Sequence, residues 1–128
     1  MTDDCAAVFI YGTLLPGELR WPVLERYALS HRPAVVDGAL YDTGHGYPAA
    51  IFSEPGRIEG RVVVIDPRRL DEALDALDEV EAVDHGLYVR TVLETDHGRA
   101  WSYEYRGGLD RLIRIGSRWR DAAGGDRR

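Results

Sequence analysis

One long stretch of this chain, Asp66 to Glu81, has the periodicity of an amphipathic helix, whereas most other apolar runs are short and stop at glycine or proline. That contrast restricts the chain to strands joined by tight connections, with few helices. Asp66 suits an N-cap and Pro67 the first helical position, and Leu70, Leu74 and Leu77 recur on one face. At about 100° per residue, with Leu70 as origin, Leu74 falls near 40°, Leu77 near 340° and Glu81 near 20°. Glu81 therefore lies inside the leucine stripe. Asp71, Glu72, Asp75 and Glu79 fall between about 100° and 200°, with Asp78 near 80° at the margin, so these five read as a solvated face. A carboxylate aimed at the interior loses hydration, and its pKa rises. The spacing admits a second placement, in which the helix ends earlier and Glu81 opens the exposed loop Ala82-Val83-Asp84-His85-Gly86.

On either side of this helix the pattern is mainly that of strands. Ala6 to Tyr11 reads as a buried strand and Trp21 to Leu29 as a short helix with Pro22 in its first turn. Ala34 to Tyr41, Ala49 to Phe52 and Ile58 to Ile65 read as strands, separated by Gly44-His45-Gly46-Tyr47-Pro48 and Glu54-Pro55-Gly56. Leu87 to Glu94 and Arg99 to Tyr105 form a hairpin across Thr95-Asp96-His97-Gly98, and Leu112 to Trp119 returns an apolar stretch to the body. The expected fold is α+β, a small mixed β-barrel with flanking helices, in one domain over residues 1–121 followed by a disordered tail at 122–128.

At 128 residues such a domain buries about two-thirds of the surface that its unfolded chain exposes, enough for a core with an enclosed pocket. Without a long apolar run or a cleavable leader pattern, the chain reads as cytoplasmic, with no membrane partner. A formal net charge of −6 argues against nucleic acid as a partner. All sixteen basic residues are arginine, which removes Schiff-base chemistry on lysine. The late cluster Arg111, Arg114, Arg118, Arg120, Arg127 and Arg128 reads as a solvated face plus tail. Cys5 is the single cysteine, and His31, His45, His85 and His97 are scattered, so neither a disulfide framework nor a metal site with known ligand spacing is present. Gly-x-Ser-x-Gly and phosphate-binding glycine motifs are also missing.

What remains is Glu81, a set of tyrosines, and the loop Tyr11-Gly12-Thr13-Leu14 that ends the first strand, with Gly17 beyond it. Gly12 lets backbone approach a ligand, and successive free N–H groups after a strand form a donor site for a carboxylate or an oxyanion. A side chain at Gly12 is expected to fill the space where ligand meets those donors. The same tetrapeptide also fits an ordinary strand-to-loop turn.

From Val8 to about Trp119 the chain resembles the gamma-glutamylcyclotransferase-like proteins. The resemblance is carried by Tyr11-Gly12-Thr13-Leu14, Gly38-Ala39-Leu40-Tyr41, Tyr47-Pro48-Ala49, Glu59-Gly60-Arg61-Val62, Leu77-Asp78 with Glu81, Leu87-Tyr88-Val89-Arg90 and Ala100-Trp101-Ser102-Tyr103. It implies a small β-barrel, a cavity at the first loop, and a catalytic glutamate at the position of Glu81. It also implies the reaction, in which the free α-amine of a γ-glutamyl group attacks its own γ-carbonyl, giving 5-oxoproline and releasing the attached amine. Neither metal nor cofactor is required. The small-molecule substrate would meet the backbone of Gly12, Thr13 and Leu14, with Tyr11 and Tyr88 as walls. The chain departs from the family in having Leu15-Pro16 where a basic residue often follows, Ala82 where glycine is frequent, and Gly116-Ser117-Arg118-Trp119 in place of a Ser-Gly-Asp-Trp-like element. Two further functions stay open: removal of a γ-glutamyl protecting group from a secondary metabolite, and non-catalytic binding of a small acidic ligand.

Overall fold

The computed structural model describes residues 5–81, 86–108, 110 and 112–119, so Ala82, His85 and the expected tail at 122–128 lie outside the described residues. In chain order the elements are β1 (Ala7–Ile10), α1 (Trp21–Glu25), β2 (Ala28–Asp37), β3 (Ala39–Asp42), β4 (Pro48–Ile51), β5 (Arg57–Ile65), α2 (Leu70–Val80), β6 (Tyr88–Thr95), β7 (Gly98–Tyr105) and β8 (Ile113–Arg114). A five-stranded sheet has the order β2-β5-β1-β7-β6, and a three-stranded sheet the order β4-β3-β8. β1 runs antiparallel to β5 and parallel to β7, so the larger sheet is mixed and the fold is α+β.

Alternation along β1 divides the interior in two. Val8 and Ile10 join Val63 and Ile65 of β5 under Leu70, Ala73, Leu74 and Leu77 of α2. On the opposite side, Phe9 and Tyr11 pack with Val36, Leu40, Ala50, Ile58 and Val62 between the two sheets. Each fully buried Leu, Val or Phe contributes about 1.5–3 kcal/mol, and adjacent residues of one strand serve both layers because side chains alternate across a pleat. The expected start of α2 is present in modified form. Asp66 Oδ1 accepts from Arg68 N at 3.0 Å and caps a 3-10 turn at Pro67–Arg69, from which the α-helix proper begins at Leu70.

Three expectations need correction. The mixed sheet does not close into a barrel: β2 and β6 remain its edges, and the edge N–H of Val35 donates to Asp96 Oδ1 at 3.0 Å in place of a neighbouring strand. The helix expected over Trp21 to Leu29 stops at Glu25. From Ala28 the chain pairs with Ile65 and then, past a bulge, Ser30 with Val64; this ladder overrides local helical pattern and leaves Leu29 63% exposed. The strand expected over Ala34 to Tyr41 is broken at Gly38, whose φ of 146° lets the chain leave β2 for the second sheet as β3. The hairpin follows the sequence reading, with Thr95 paired to Gly98 and Thr95 Oγ1 donating to the Gly98 carbonyl at 2.8 Å.

Gly60 of β5 leaves no room for a side chain, because a Cβ there would run into the Ile10 carbonyl oxygen of β1. Gly108 has nothing within 4 Å of the same position. Gly60→Ala should therefore lower unfolding free energy by about 1–3 kcal/mol, as overpacking does. Gly108→Ala should leave it within about 0.5 kcal/mol. Urea unfolding of both variants checks the difference.

Candidate active site

β1, the central strand of the larger sheet, ends at Ile10 and delivers Tyr11 just beyond it, and the chain then folds back on itself. Leu15 N donates to the Gly12 carbonyl at 3.0 Å, and Arg20 N to the Thr13 carbonyl at 2.8 Å. Among the described residues, none of these turn bonds uses the N–H of Gly12, Thr13 or Leu14. The loop borders a cavity of about 220 Å³ whose other walls come from Tyr47-Pro48, Tyr88, Tyr103 and the end of α2 at Val80-Glu81. Tyr11, Gly12, Thr13, Leu14, Glu81 and Tyr88 all line it, together with Arg20. A larger, open groove of about 630 Å³ runs past His31, Arg61 and Trp119 and is lined by none of those residues.

Glu81 is the residue after the last helical one. Its φ of −86° and ψ of 3° end α2, yet its N–H still donates to the Leu77 carbonyl at 2.9 Å. The helix has therefore stopped, as one sequence placement holds, while the side chain faces the cavity, as the other holds. Burial pushes its carboxyl up to about 7 from an ordinary 4.5, against a weaker downward pull from the Arg20 guanidinium. Because the folded pKa is the higher one, the native state holds this proton more tightly between about pH 4.5 and about 7. The contribution of Glu81 to stability is thus greatest below that window and falls as pH rises through it.

The two wall tyrosines already spend their hydroxyls on backbone. Tyr11 donates to the Tyr103 carbonyl and Tyr88 to the Pro48 carbonyl, both at 2.6 Å, and burial holds both phenols well above their usual range. They shape the cavity without offering it a free donor. At Gly12 a Cβ would meet Pro48 Cγ at 2.6 Å and Cδ at 2.7 Å. Gly12 and Pro48 both line the cavity, so a side chain at Gly12 would press on its wall.

Asp78 departs from its expected place on the solvated face. Its Oδ1 accepts from Tyr103 Oη at 2.6 Å and lies 3.5 Å from Arg90 Nε, while the Arg90 guanidinium sits 5.1 Å from the Trp101 ring centroid. Tyr103 thus grips α2 through its hydroxyl and Tyr11 through its carbonyl. Sequence reasoning missed Arg20, which meets the loop and the end of α2 only through tertiary contacts, and it placed Asp78 of the Leu77-Asp78 motif at the margin of the solvated face, because its contact with Tyr103 leaves no local signal. Tyr47, Pro48 and Tyr103 stand within the short motifs read above. The altered element Gly116-Ser117-Arg118-Trp119 lies elsewhere, docked on β5, where the Ser117 carbonyl accepts from Glu59 N at 2.7 Å and Ser117 Oγ donates to Glu59 Oε2 at 2.8 Å. Among the described residues no group of three or more His, Cys, Asp or Glu side chains could hold a metal ion, and no helix is long and apolar enough to cross a membrane.

Removing the Asp78 carboxylate strips a hydrogen bond from Tyr103 and an ion pair from Arg90. Asp78→Ala should cost about 1–3 kcal/mol of stability, the usual penalty when a buried donor loses its acceptor. Asp75→Ala, on the exposed face of the same helix, should change stability by no more than about 0.5 kcal/mol. Thermal melts of the two variants compare them directly.

Comparison with known proteins agrees with this architecture. Residues 8–121 match the family described as gamma-glutamyl cyclotransferase, AIG2-like. The gamma-glutamylcyclotransferase family protein ytfP of Citrobacter rodentium is 33% identical over 117 residues, which cover 89% of this chain and 95% of that protein. The gamma-L-glutamyl-butirosin B gamma-glutamyl cyclotransferase of Niallia circulans is 34% identical over 74 residues, 58% of this chain and 44% of that protein. In fold, the crystal structure of protein PH0828 from Pyrococcus horikoshii superposes with a TM-score of 0.72 at 21% identity, covering 94% of this chain and 95% of that one. The chain belongs to the gamma-glutamyl cyclotransferase, AIG2-like family.

Proposed function

We propose that this chain is an enzyme that cyclises the γ-glutamyl group of a γ-glutamyl amine or amino acid to 5-oxoproline, with release of the amine. The observation that carries the reading is one partly buried acidic residue, Glu81, sharing a small cavity with Gly12, Thr13 and Leu14, whose N–H groups take no part in the turn bonds of the loop.

In this mechanism the ionised Glu81 takes a proton from the substrate α-ammonium. The freed amine attacks the γ-carbonyl carbon, forming the ring C–N bond, and the loop N–H groups receive the oxyanion that develops. As the intermediate collapses, the bond to the leaving nitrogen breaks. The two protons lost from the α-ammonium end on that nitrogen, the first by way of Glu81, and the amine departs as an ammonium ion. Glu81 is then ionised again.

Burial makes the first transfer inexpensive. Between an α-ammonium near pKa 8 and an ordinary glutamate near 4.3, the step is uphill by about 5 kcal/mol. With Glu81 at about 7 the gap falls to about 1.4 kcal/mol. Nucleophile and electrophile belong to one molecule, so alignment replaces a second binding event.

A cavity of about 220 Å³ falls below the roughly 300–1,000 Å³ of sites that enclose drug-sized ligands. It suits the reacting glutamyl group and leaves the amine outside. The similarity to the butirosin enzyme favours a second reading with the same chemistry, in which the released amine is a secondary metabolite.

Release of 5-oxoproline from a panel of γ-glutamyl compounds tests the proposal. Glu81→Gln should reduce turnover by about 10²- to 10⁴-fold, the usual worth of a general acid–base. Glu79→Gln, about 160° away on the helix wheel, should leave it unchanged. In the native enzyme kcat/KM should fall below about pH 7, because protonated Glu81 accepts no proton, and this limb should vanish in Glu81→Gln. Equal rates for the two variants would remove Glu81 from the mechanism.

A further inference from the structure

Among the described residues, Arg20 is the only basic side chain that lines the cavity, and it arrives there from outside every motif that marks the site. The bond from Arg20 N to the Thr13 carbonyl, at 2.8 Å, folds the loop back toward α2. Its side chain then reaches the helix end, where Nη1 donates to the Val80 carbonyl at 3.1 Å. Val80 immediately precedes Glu81. The guanidinium is thus tethered by one nitrogen beside the carboxyl, and among the described residues it forms no ion pair. Leu15, by contrast, packs against the helix-side core and lines the larger groove.

We propose that Arg20 binds the α-carboxylate of the γ-glutamyl group, and so confines the enzyme to substrates in which that carboxylate is free. The inference rests on the cyclotransferase reading and adds a substrate requirement to it. Ammonium and carboxylate sit on the same carbon of the glutamyl group. If the ammonium meets Glu81, the carboxylate falls to the neighbouring cation. A guanidinium held by one nitrogen keeps donors in a planar fork that matches a carboxylate. This arrangement frees the N–H groups of Gly12, Thr13 and Leu14 for the oxyanion alone. It also gives Arg20 two electrostatic partners in turn, because a bound carboxylate would offset the downward pull that the guanidinium exerts on Glu81.

Two ligand pairs test this. For turnover, γ-glutamyl-p-nitroanilide is compared with its α-carboxamide counterpart. For binding, 5-oxoproline is compared with its carboxamide by calorimetry. Native protein should favour the acid over the amide by about 10- to 100-fold in each, the worth of a hydrogen bond to a charged group. Arg20→Gln should lose that preference mainly through KM, and Arg20→Lys should recover part of it. An unchanged preference in Arg20→Gln overturns the proposal, as does equal binding of acid and amide by the native protein, which needs no variant to fold. If neither anilide is turned over but the acid is preferred in binding and Arg20→Gln abolishes that preference, the carboxylate site stands and the cyclotransferase reading fails. If the native protein neither turns over the anilides nor binds 5-oxoproline, both are overturned.

Discussion

Glu81 stands in the cavity because the last turn of α2 is held to the rest of the molecule at two points. On one side Tyr103 of β7 donates to Asp78, and on the other Arg20 donates to the Val80 carbonyl. A helix end leaves carbonyls without intrahelical partners, and a cation there is favourable both as a donor and against the negative end of the helix dipole. The two contacts fix the axial position and the rotation of the turn. With that turn fixed, the residue that follows has little choice of direction. The buried face Leu70, Ala73, Leu74 and Leu77 supplies the energy that keeps α2 on the sheet, and the polar contacts set its register.

The same arrangement balances the charge of Glu81. Desolvation alone would favour the neutral acid, and a close ion pair with Arg20 would hold it ionised. The structure stands between these limits, because the guanidinium is occupied with the Val80 carbonyl and pulls on the carboxyl from beyond ion-pair contact. A group poised near neutrality exchanges protons in both directions at small cost. The tyrosine walls contribute by exclusion, since their hydroxyls are committed to the Tyr103 and Pro48 carbonyls and their rings take up volume that water would fill.

Much of this was legible in the sequence because it depends on local pattern. Leucine spacing placed α2 and drew Glu81 toward the interior, and the glycine after β1 marked where the sheet ends. Other features depend on partners far away in the chain. Leu29 lies in a strand because Ile65 and Val64 are waiting beside it, a fact that no window around Leu29 contains. Asp78 looked solvated on a helix wheel because a wheel knows nothing of Tyr103, and Arg20 entered the site only through a turn closed at Thr13. At Gly12 a side chain would also meet Pro48, a neighbour from a distant part of the chain. The barrel failed for a similar reason, since edge satisfaction by Asp96 is a contact between β2 and a distant hairpin turn.

Whether Glu81 can carry a proton near neutrality is decided by one number, its pKa in the folded protein. Titration of its side-chain carboxyl carbon by ¹³C NMR, with the resonance assigned by its loss in Glu81→Gln, measures that number without reference to any substrate. A midpoint near 7, well above the ordinary 4.5, is what burial beside a tethered Arg20 requires. A midpoint at the ordinary value would mean that the carboxyl is solvated, and would contradict the claim that this helix end holds a proton carrier.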